Sequence, residues 1–169
     1  MQITTQRLTL RPFCPTDAQD VIALMRDPCV GKTYMVPDLS DDAAAQRLFT
    51  RLHDLSHDDS RVVLVAALDG RVIGLINDVG IQGRRIELGY AFAPAYHGKG
   101  YATEAVSALI DALFALGFEA VVAGAFEHNA ASLRVMEKCG MRPTGETEEI
   151  AYRGRTHRCI YCSIRKAQA

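Results

Sequence analysis

A chain of 169 residues, 49% of them hydrophobic, can bury one sizeable core and is short for two. Its formal net charge of −1 excludes a strongly basic nucleic-acid binder, and its hydrophobic content excludes a disordered segment. The longest unbroken apolar run, residues 62–68, is far too short to cross a bilayer, and Met1-Gln2-Ile3-Thr4 lacks a charged-then-apolar signal pattern.

These observations predict a single domain over residues 1–169, cytoplasmic, with no membrane segment and no nucleic-acid partner. Five cysteines (Cys14, Cys29, Cys139, Cys159, Cys162) form an odd, scattered set rather than a disulfide framework. Cys159-Ile160-Tyr161-Cys162 is nominally a CxxC, but residues three apart on a strand point to opposite faces, and no second pair completes a zinc site. No histidine has ligand spacing with another, so no metal is expected.

Residues 7–13 alternate Leu8, Leu10 and Pro12 against Thr9, Arg11 and Phe13 and read as a first strand. Thr16-Asp17-Ala18-Gln19 matches a capping box, opening a helix that buries Val21, Ile22, Leu24 and Met25 and ends at Pro28. Residues 30–37 have no period and carry Gly31, Tyr34 and Met35 at their centre. Ser40, followed by Asp41 and Asp42, starts a second helix that reaches about Leu55. Residues 61–68 form a β-branched strand, Asp69-Gly70 a hairpin turn, and residues 71–79 the returning strand.

A fourth strand spans residues 85–92, and the helix after it carries Ala102, Ala105, Val106, Leu109, Ile110 and Leu113 before Gly117 ends it. Residues 119–126 are a fifth strand. Asn129 is placed to cap a short helix with Leu133, Val135 and Met136, closed by Gly140. Residues 147–152 and 156–164 then pair around Arg153-Gly154-Arg155. The order of elements is that of an α+β domain: an antiparallel meander, a crossover helix and a last strand–helix–hairpin.

Between the fourth strand and its helix stands Tyr96-His97-Gly98-Lys99-Gly100-Tyr101-Ala102. A loop that brings bare backbone N–H groups up to an anion needs residues without a Cβ, and a helix starting there adds free donors and the positive end of its dipole. These seven residues fit a phosphate loop and, equally, a glycine-rich turn with no ligand. Two nucleotide motifs are excluded. A P-loop needs Ser or Thr directly after its Gly-Lys pair, where this chain has Gly100; a dinucleotide fingerprint needs Gly at position 103, where it has Thr103.

The fourth strand puts Ile86, Leu88, Tyr90 and Phe92 on one face and Glu87, Gly89, Ala91 and Ala93 on the other. The second face is nearly bare apart from one carboxylate, which leaves room there for a slender ligand. A β-bulge would change the parity part-way along.

Four pieces in register carry a resemblance: Thr5-Gln6-Arg7-Leu8-Thr9-Leu10-Arg11-Pro12; Ile86-Glu87-Leu88-Gly89-Tyr90; His97-Gly98-Lys99-Gly100-Tyr101-Ala102-Thr103-Glu104-Ala105; and Asn129-Ala130-Ala131-Ser132-Leu133-Arg134-Val135-Met136-Glu137-Lys138-Cys139-Gly140-Met141. With these the chain resembles the GNAT acyl-CoA N-acyltransferases, and within them the RimJ/RimL-type branch of ribosomal-protein N-terminal acetyltransferases. The resemblance implies a mixed, mostly antiparallel sheet of about seven strands flanked by helices. The family's loop pattern, (Gln/Arg)-x-x-Gly-x-(Gly/Ala), falls on His97, Gly100 and Ala102, with His97 departing from it.

By that resemblance, acetyl-CoA is the co-substrate. Backbone N–H groups of His97, Gly98, Lys99, Gly100, Tyr101 and Ala102, with Thr103 following, hold the pyrophosphate. The pantetheine arm lies along Tyr90, Ala91, Phe92 and Ala93, with Asn129 and Ser132 beside it. Lys99, Arg134 and Lys138 are placed for the outer phosphate, with ordinary helix surface as the alternative reading.

The reaction the resemblance implies is direct attack of an amine on the thioester. An α-amine with a pKa near 8 is roughly one-tenth neutral at pH 7, and a lysine near 10.4 only about once in 2,500, so a base serves either. Glu87 is the expected base, with a solvated or ion-paired surface glutamate as the alternative. Glu148 and Glu149 compete as carboxylates facing the acceptor. The family's usual acid, a Tyr in the late helix, is replaced by Met136, leaving Ser132 as the nearest donor, or merely a cap on the helix start.

The acceptor pocket is expected from residues 30–37, the second helix and the last hairpin, with Tyr34, Met35 and Glu149 as contacts. The acceptor is a protein N-terminus or a small amine, and the terminal hairpin offers a route to a homodimer. The other reading is a coenzyme A or acyl-CoA sensor without transfer activity, for which Met136 and His97 speak.

Overall fold

The computed structural model describes residues 1–167. Its strands are β1 (Ile3–Thr4), β2 (Thr9–Arg11), β3 (Val63–Leu68), β4 (Arg71–Gln82), β5 (Arg85–Phe92), β6 (Ala120–Phe126), β7 (Arg142–Tyr152) and β8 (Arg155–Arg165). Four α-helices join them: α1 (Ala18–Arg26), α2 (Asp42–Ser56), α3 (Tyr101–Ala115) and α4 (Ala130–Lys138). All eight strands form one sheet in the order β1-β2-β3-β4-β5-β6-β8-β7. Every neighbouring pair is antiparallel except β5 and β6. That parallel pair needs a crossover, and α3 supplies it. The strand beyond the expected seven is β1, where a tight turn (Thr5 N to Leu8 O, 2.9 Å) folds residues 3–4 back onto β2.

The sheet separates two cores. On one face, α3 buries Ala105, Val106, Leu109, Ile110 and Leu113 against Leu10, Ile76, Leu88 and Val121, with Met136 of α4 in the same cluster. On the other face, α1 and α2 bury Val21, Leu24, Met25, Ala45 and Phe49 against Val65, Leu75 and Ala91. Leu109 is fully buried, so truncating it to Ala would cost about 2–5 kcal/mol. Cys159 and Cys162 fall on opposite sides of the sheet and are buried free thiols.

Two helix starts differ from expectation. Asp41, not Ser40, caps α2, accepting from Ala43 N and Ala44 N. Thr16 caps nothing: a short 3-10 turn (Pro15–Asp17) precedes α1, and the Asp17 carboxylate accepts from Cys14 N at 2.7 Å and pairs with Arg11 instead. The proline favours that tighter turn, and the guanidinium outcompetes helix amides for the carboxylate.

A bulge does occur beside the fourth strand, but in its partner. Register shifts between Asp78 and Gly80 of β4, so Val79 is the extra residue and β5 keeps its alternation. Buried Asp78 is held there by Arg61 at 2.8 Å and by Val62 N at 2.8 Å.

Candidate functional site

β5 and β6 pair only from Arg85↔Ala120 to Leu88↔Ala123 and then share no further register. Beyond that point β5 stays bonded to β4 and β6 to β8, so the two strands splay and a wedge opens between them. The β6-facing edge of residues 89–92 thus has backbone polar groups with no strand partner, which is where an extended ligand can add. A cavity of about 270 Å³ occupies the wedge, bounded by this edge, by the loop after β5, by the first turns of α3 and α4, and by Cys29, Val30, Thr33 and Tyr34.

This corrects the expected source of room. The face carrying Ala91 is not bare: Ala91 is 7% exposed and packed in the second core, and Tyr34 crosses over Gly89, where a Cβ would sit 3.6 Å from its ring. The space lies at the strand's edge, because two parallel neighbours diverge.

The loop after β5 is built from left-handed glycines, Gly98 at φ +73° and Gly100 at φ +83°, and Gly100 is the residue from which α3 starts. Among the described residues, no protein acceptor receives a hydrogen bond from the backbone N–H of residues 98 to 103. Six consecutive donors at the positive end of a helix make an anion cradle. The departure at His97 leaves it intact, because that side chain folds inward and its Nε2 donates to Phe92 O at 2.8 Å.

The cradle is clamped from the far end of the sheet. Glu104, in the first turn of α3, accepts from Thr5 Oγ1 at 2.6 Å and Arg7 N at 2.8 Å, and pairs with the Arg7 guanidinium at 2.6 Å. Arg7 in turn donates to Lys99 O at 3.0 Å and lies 4.4 Å over the Tyr101 ring. Buried to 16% exposure, Glu104 loses water, which raises its pKa, but the Thr5 and Arg7 hydrogen bonds outweigh that and hold it below the ordinary range. Nothing in sequence spacing pointed to this role.

Of the residues expected to hold the donor, Tyr90, Ala91, Phe92, His97, Gly98, Gly100, Tyr101, Ala102, Thr103, Asn129 and Ser132 all line the cavity. Ala93 and Lys99 do not. Ala93 turns its amide back to Ile73 O at 2.8 Å, and the Lys99 ammonium folds onto Ala95 O at 3.0 Å above the Tyr96 ring. Arg134 and Lys138 remain as the cations at the wall.

Asn129 caps α4 through Ser132 N at 3.1 Å. The Ser132 hydroxyl lies 2.8 Å from the Tyr90 hydroxyl. Met136, where the family carries its Tyr, is fully buried.

Across the sheet, on the face away from α3 and α4, Glu87 is half-buried and has no hydrogen-bond or ion-pair partner among the described residues. Desolvation raises its pKa, Arg85 works against that, and the Glu148 charge adds to it. Glu148 accepts from Tyr161 Oη at 2.7 Å, and burial together with that bond keeps the phenol protonated. Tyr161 lies over Gly124, where a Cβ would stand 2.8 Å from its ring. No short-range sequence signal marks Tyr161: it meets Glu148 only through the β7–β8 register.

Glu149, expected at the acceptor, pairs with Arg158 in that register and so alternates to the opposite face from Glu148. Met35 is 54% exposed and outside the cavity wall. Tyr34 is at the site, its hydroxyl bonded to Asn77 Oδ1 and its pKa raised by burial. The segment it belongs to is moored by Tyr152, whose single hydroxyl hydrogen is shared between Gly31 O (2.9 Å) and Tyr34 O (3.3 Å) and whose oxygen accepts from Val36 N (3.3 Å).

No helix of the described residues is long and apolar enough to cross a membrane. Among the same residues, no three His, Cys, Asp or Glu side chains gather as metal ligands.

The chain matches the acetyltransferase (GNAT) domain family over residues 7–142. It is 29% identical over 146 residues to the uncharacterized N-acetyltransferase p20 of Bacillus licheniformis, covering 83% of this chain and 82% of that protein. A GNAT-family acetyltransferase from Bacillus anthracis has the same fold, with a TM-score of 0.85 at 26% identity over 98% of each chain. The microcin C7 self-immunity acetyltransferase MccE, solved with acetyl-CoA and AMP, shares the fold at 15% identity, with a TM-score of 0.84 over 95% of this chain and 93% of that one. This chain therefore belongs to the GNAT family and is an acetyltransferase.

Proposed function

We propose that the chain moves the acetyl group of acetyl-CoA to a primary amine by direct attack in a ternary complex, as one domain over residues 1–169 working in the cytoplasm. The observation that carries this reading is the run of six unpartnered amides, residues 98 to 103, opening onto the free edge of β5. A diphosphate satisfies the amides, and an amide-bearing pantetheine arm satisfies the strand edge. MccE, of the same fold, was solved with acetyl-CoA. The RimJ/RimL-like motifs favour a protein N-terminus as acceptor over a small amine.

In this reading Glu87 takes the proton that the attacking amine must lose. It is half-buried, unpaired and held above the ordinary carboxylate range, which brings it closer to working pH. Glu148, fixed by Tyr161, is the second carboxylate at the acceptor mouth. Ser132, at the first turn of α4, donates a hydrogen bond to the leaving sulfur.

The test is calorimetry with coenzyme A, then thiol release from acetyl-CoA over a panel of alanyl and seryl peptides, lysine, spermidine and aromatic amines. Coenzyme A uptake with thiol release from one class of amine is expected. No uptake, or uptake with no thiol released by any amine, overturns the proposal.

A further inference from the structure

Tyr90 is a strand tyrosine with its ring partly buried against the first core and its hydroxyl at the cavity wall. It has one hydrogen and two acceptors in reach: Ser132 Oγ at 2.8 Å and Ser132 O at 3.2 Å. If the phenol donates to the carbonyl, the serine hydrogen turns to the phenol oxygen and is lost to the cavity. If the phenol donates to Oγ, the serine hydrogen is free to point into the wedge. The Ser132 carbonyl already belongs to the helical ladder of α4, and the Oγ contact is the shorter, so the second arrangement is the better bonded.

We propose that Tyr90 is a positioning residue for Ser132: by donating to Oγ it holds the serine hydrogen aimed at the departing sulfur. This rests on the reading of Ser132 as donor to that sulfur. Two further observations point the same way. Met136 is sealed in the core and supplies no hydroxyl, so a donor must come from elsewhere. Burial raises the Tyr90 pKa, so the phenol keeps its hydrogen across the working range and stays a donor.

Coupled hydroxyls polarise one another, which strengthens the outer bond. No proton is passed through Tyr90. As the carbon–sulfur bond breaks, its electron pair stays on sulfur, the serine hydrogen bonds to that charge, and the amine's proton leaves by Glu87.

The test needs no acceptor. Coenzyme A bound to the protein is titrated by thiolate absorbance, in wild type, Ser132→Ala, Tyr90→Phe and the double variant. A hydrogen bond to sulfur favours the thiolate, so the wild-type complex should show a thiol pKa below that of free coenzyme A. Ser132→Ala should raise it by about one unit, a tenfold change, and Tyr90→Phe by part of that. The double variant should match Ser132→Ala alone.

If Ser132→Ala raises the pKa but Tyr90→Phe does not, or the two shifts add, the positioning role is lost while the serine stands. If Ser132→Ala changes nothing, the donor reading itself falls and this proposal with it. Should Tyr90→Phe not fold, Ser132→Thr decides. Its retained hydroxyl should keep the lowered pKa, and a value equal to that of Ser132→Ala overturns the proposal.

Discussion

The two halves of the site are built on opposite principles. The proposed donor half is made of backbone: left-handed glycines, a helix start and one strand edge lie within residues 89–103, and among the described residues no protein acceptor takes the amides. The proposed acceptor half is made of side chains gathered from far apart: Glu87 from β5, Tyr161 and Glu148 from the last hairpin, and Tyr34 bonded to Asn77 across 43 positions of sequence. A backbone cradle fits one ligand and tolerates changes in side chains; a side-chain pocket can be retuned residue by residue.

The largest expected effect separates chemistry from binding. Glu87→Gln should lower kcat/KM about 10²–10⁴-fold with coenzyme A affinity unchanged, read by thiol release and calorimetry. Burial and Glu148 hold the Glu87 carboxyl above the ordinary range, and a base works only when deprotonated. Wild-type kcat/KM should therefore rise with pH through that raised value and level off above it. The variant should lose this acidic limb; an unchanged profile removes Glu87 from the mechanism.

The next effect should fall on the donor alone. Gly100→Val places a β-branched residue at φ +83°, a strain of about 1–3 kcal/mol that turns the amides away. Calorimetry should show coenzyme A binding weakened about tenfold or more. Intact uptake breaks the idea that the backbone makes this half.

This division explains what was legible in the sequence. Elements with a strong period, such as α3 and β5, and motifs that are local, such as the loop at 97–103 and the Asn129 cap, are visible because their residues are neighbours in the chain. The Glu104 clamp was not legible, since its partners Thr5 and Arg7 are 99 and 97 positions away. Glu148 and Glu149 differ only by strand parity, which the bulged β7–β8 register decides. Room along β5 was misplaced for the same reason: strand divergence is a property of the sheet, and alternation along one strand carries no trace of it.

Glu104→Ala tests whether the donor half depends on support from outside its own segment. Removing a mostly buried carboxylate that takes three donors should cost about 2 kcal/mol, or ~4–8 °C in melting temperature. The folded carboxyl sits below its ordinary value, so its stabilisation is present at neutral pH and is lost as pH falls through the folded value. The melting difference between wild type and variant should shrink accordingly in acid. A difference that grows in acid would reverse the assignment of the clamp.

The smallest effect should fall mainly on the acceptor half. Tyr152→Phe removes one oxygen, and with it the bonds to Gly31 O, Tyr34 O and Val36 N that tie residues 30–37 to the hairpin. The ring stays packed near Phe126, so the hairpin keeps its shape and only the mooring is lost. At about 1 kcal/mol for a partly exposed hydrogen-bonded group, the loop should open enough to raise acceptor KM about fivefold. Coenzyme A affinity should move less than acceptor KM, because among the described residues the cradle hangs from Arg7 and Glu104 and not from Tyr152. Equal losses for donor and acceptor would mean that the two halves are one cooperative unit, and the contrast between backbone and side-chain recognition would no longer describe separable parts.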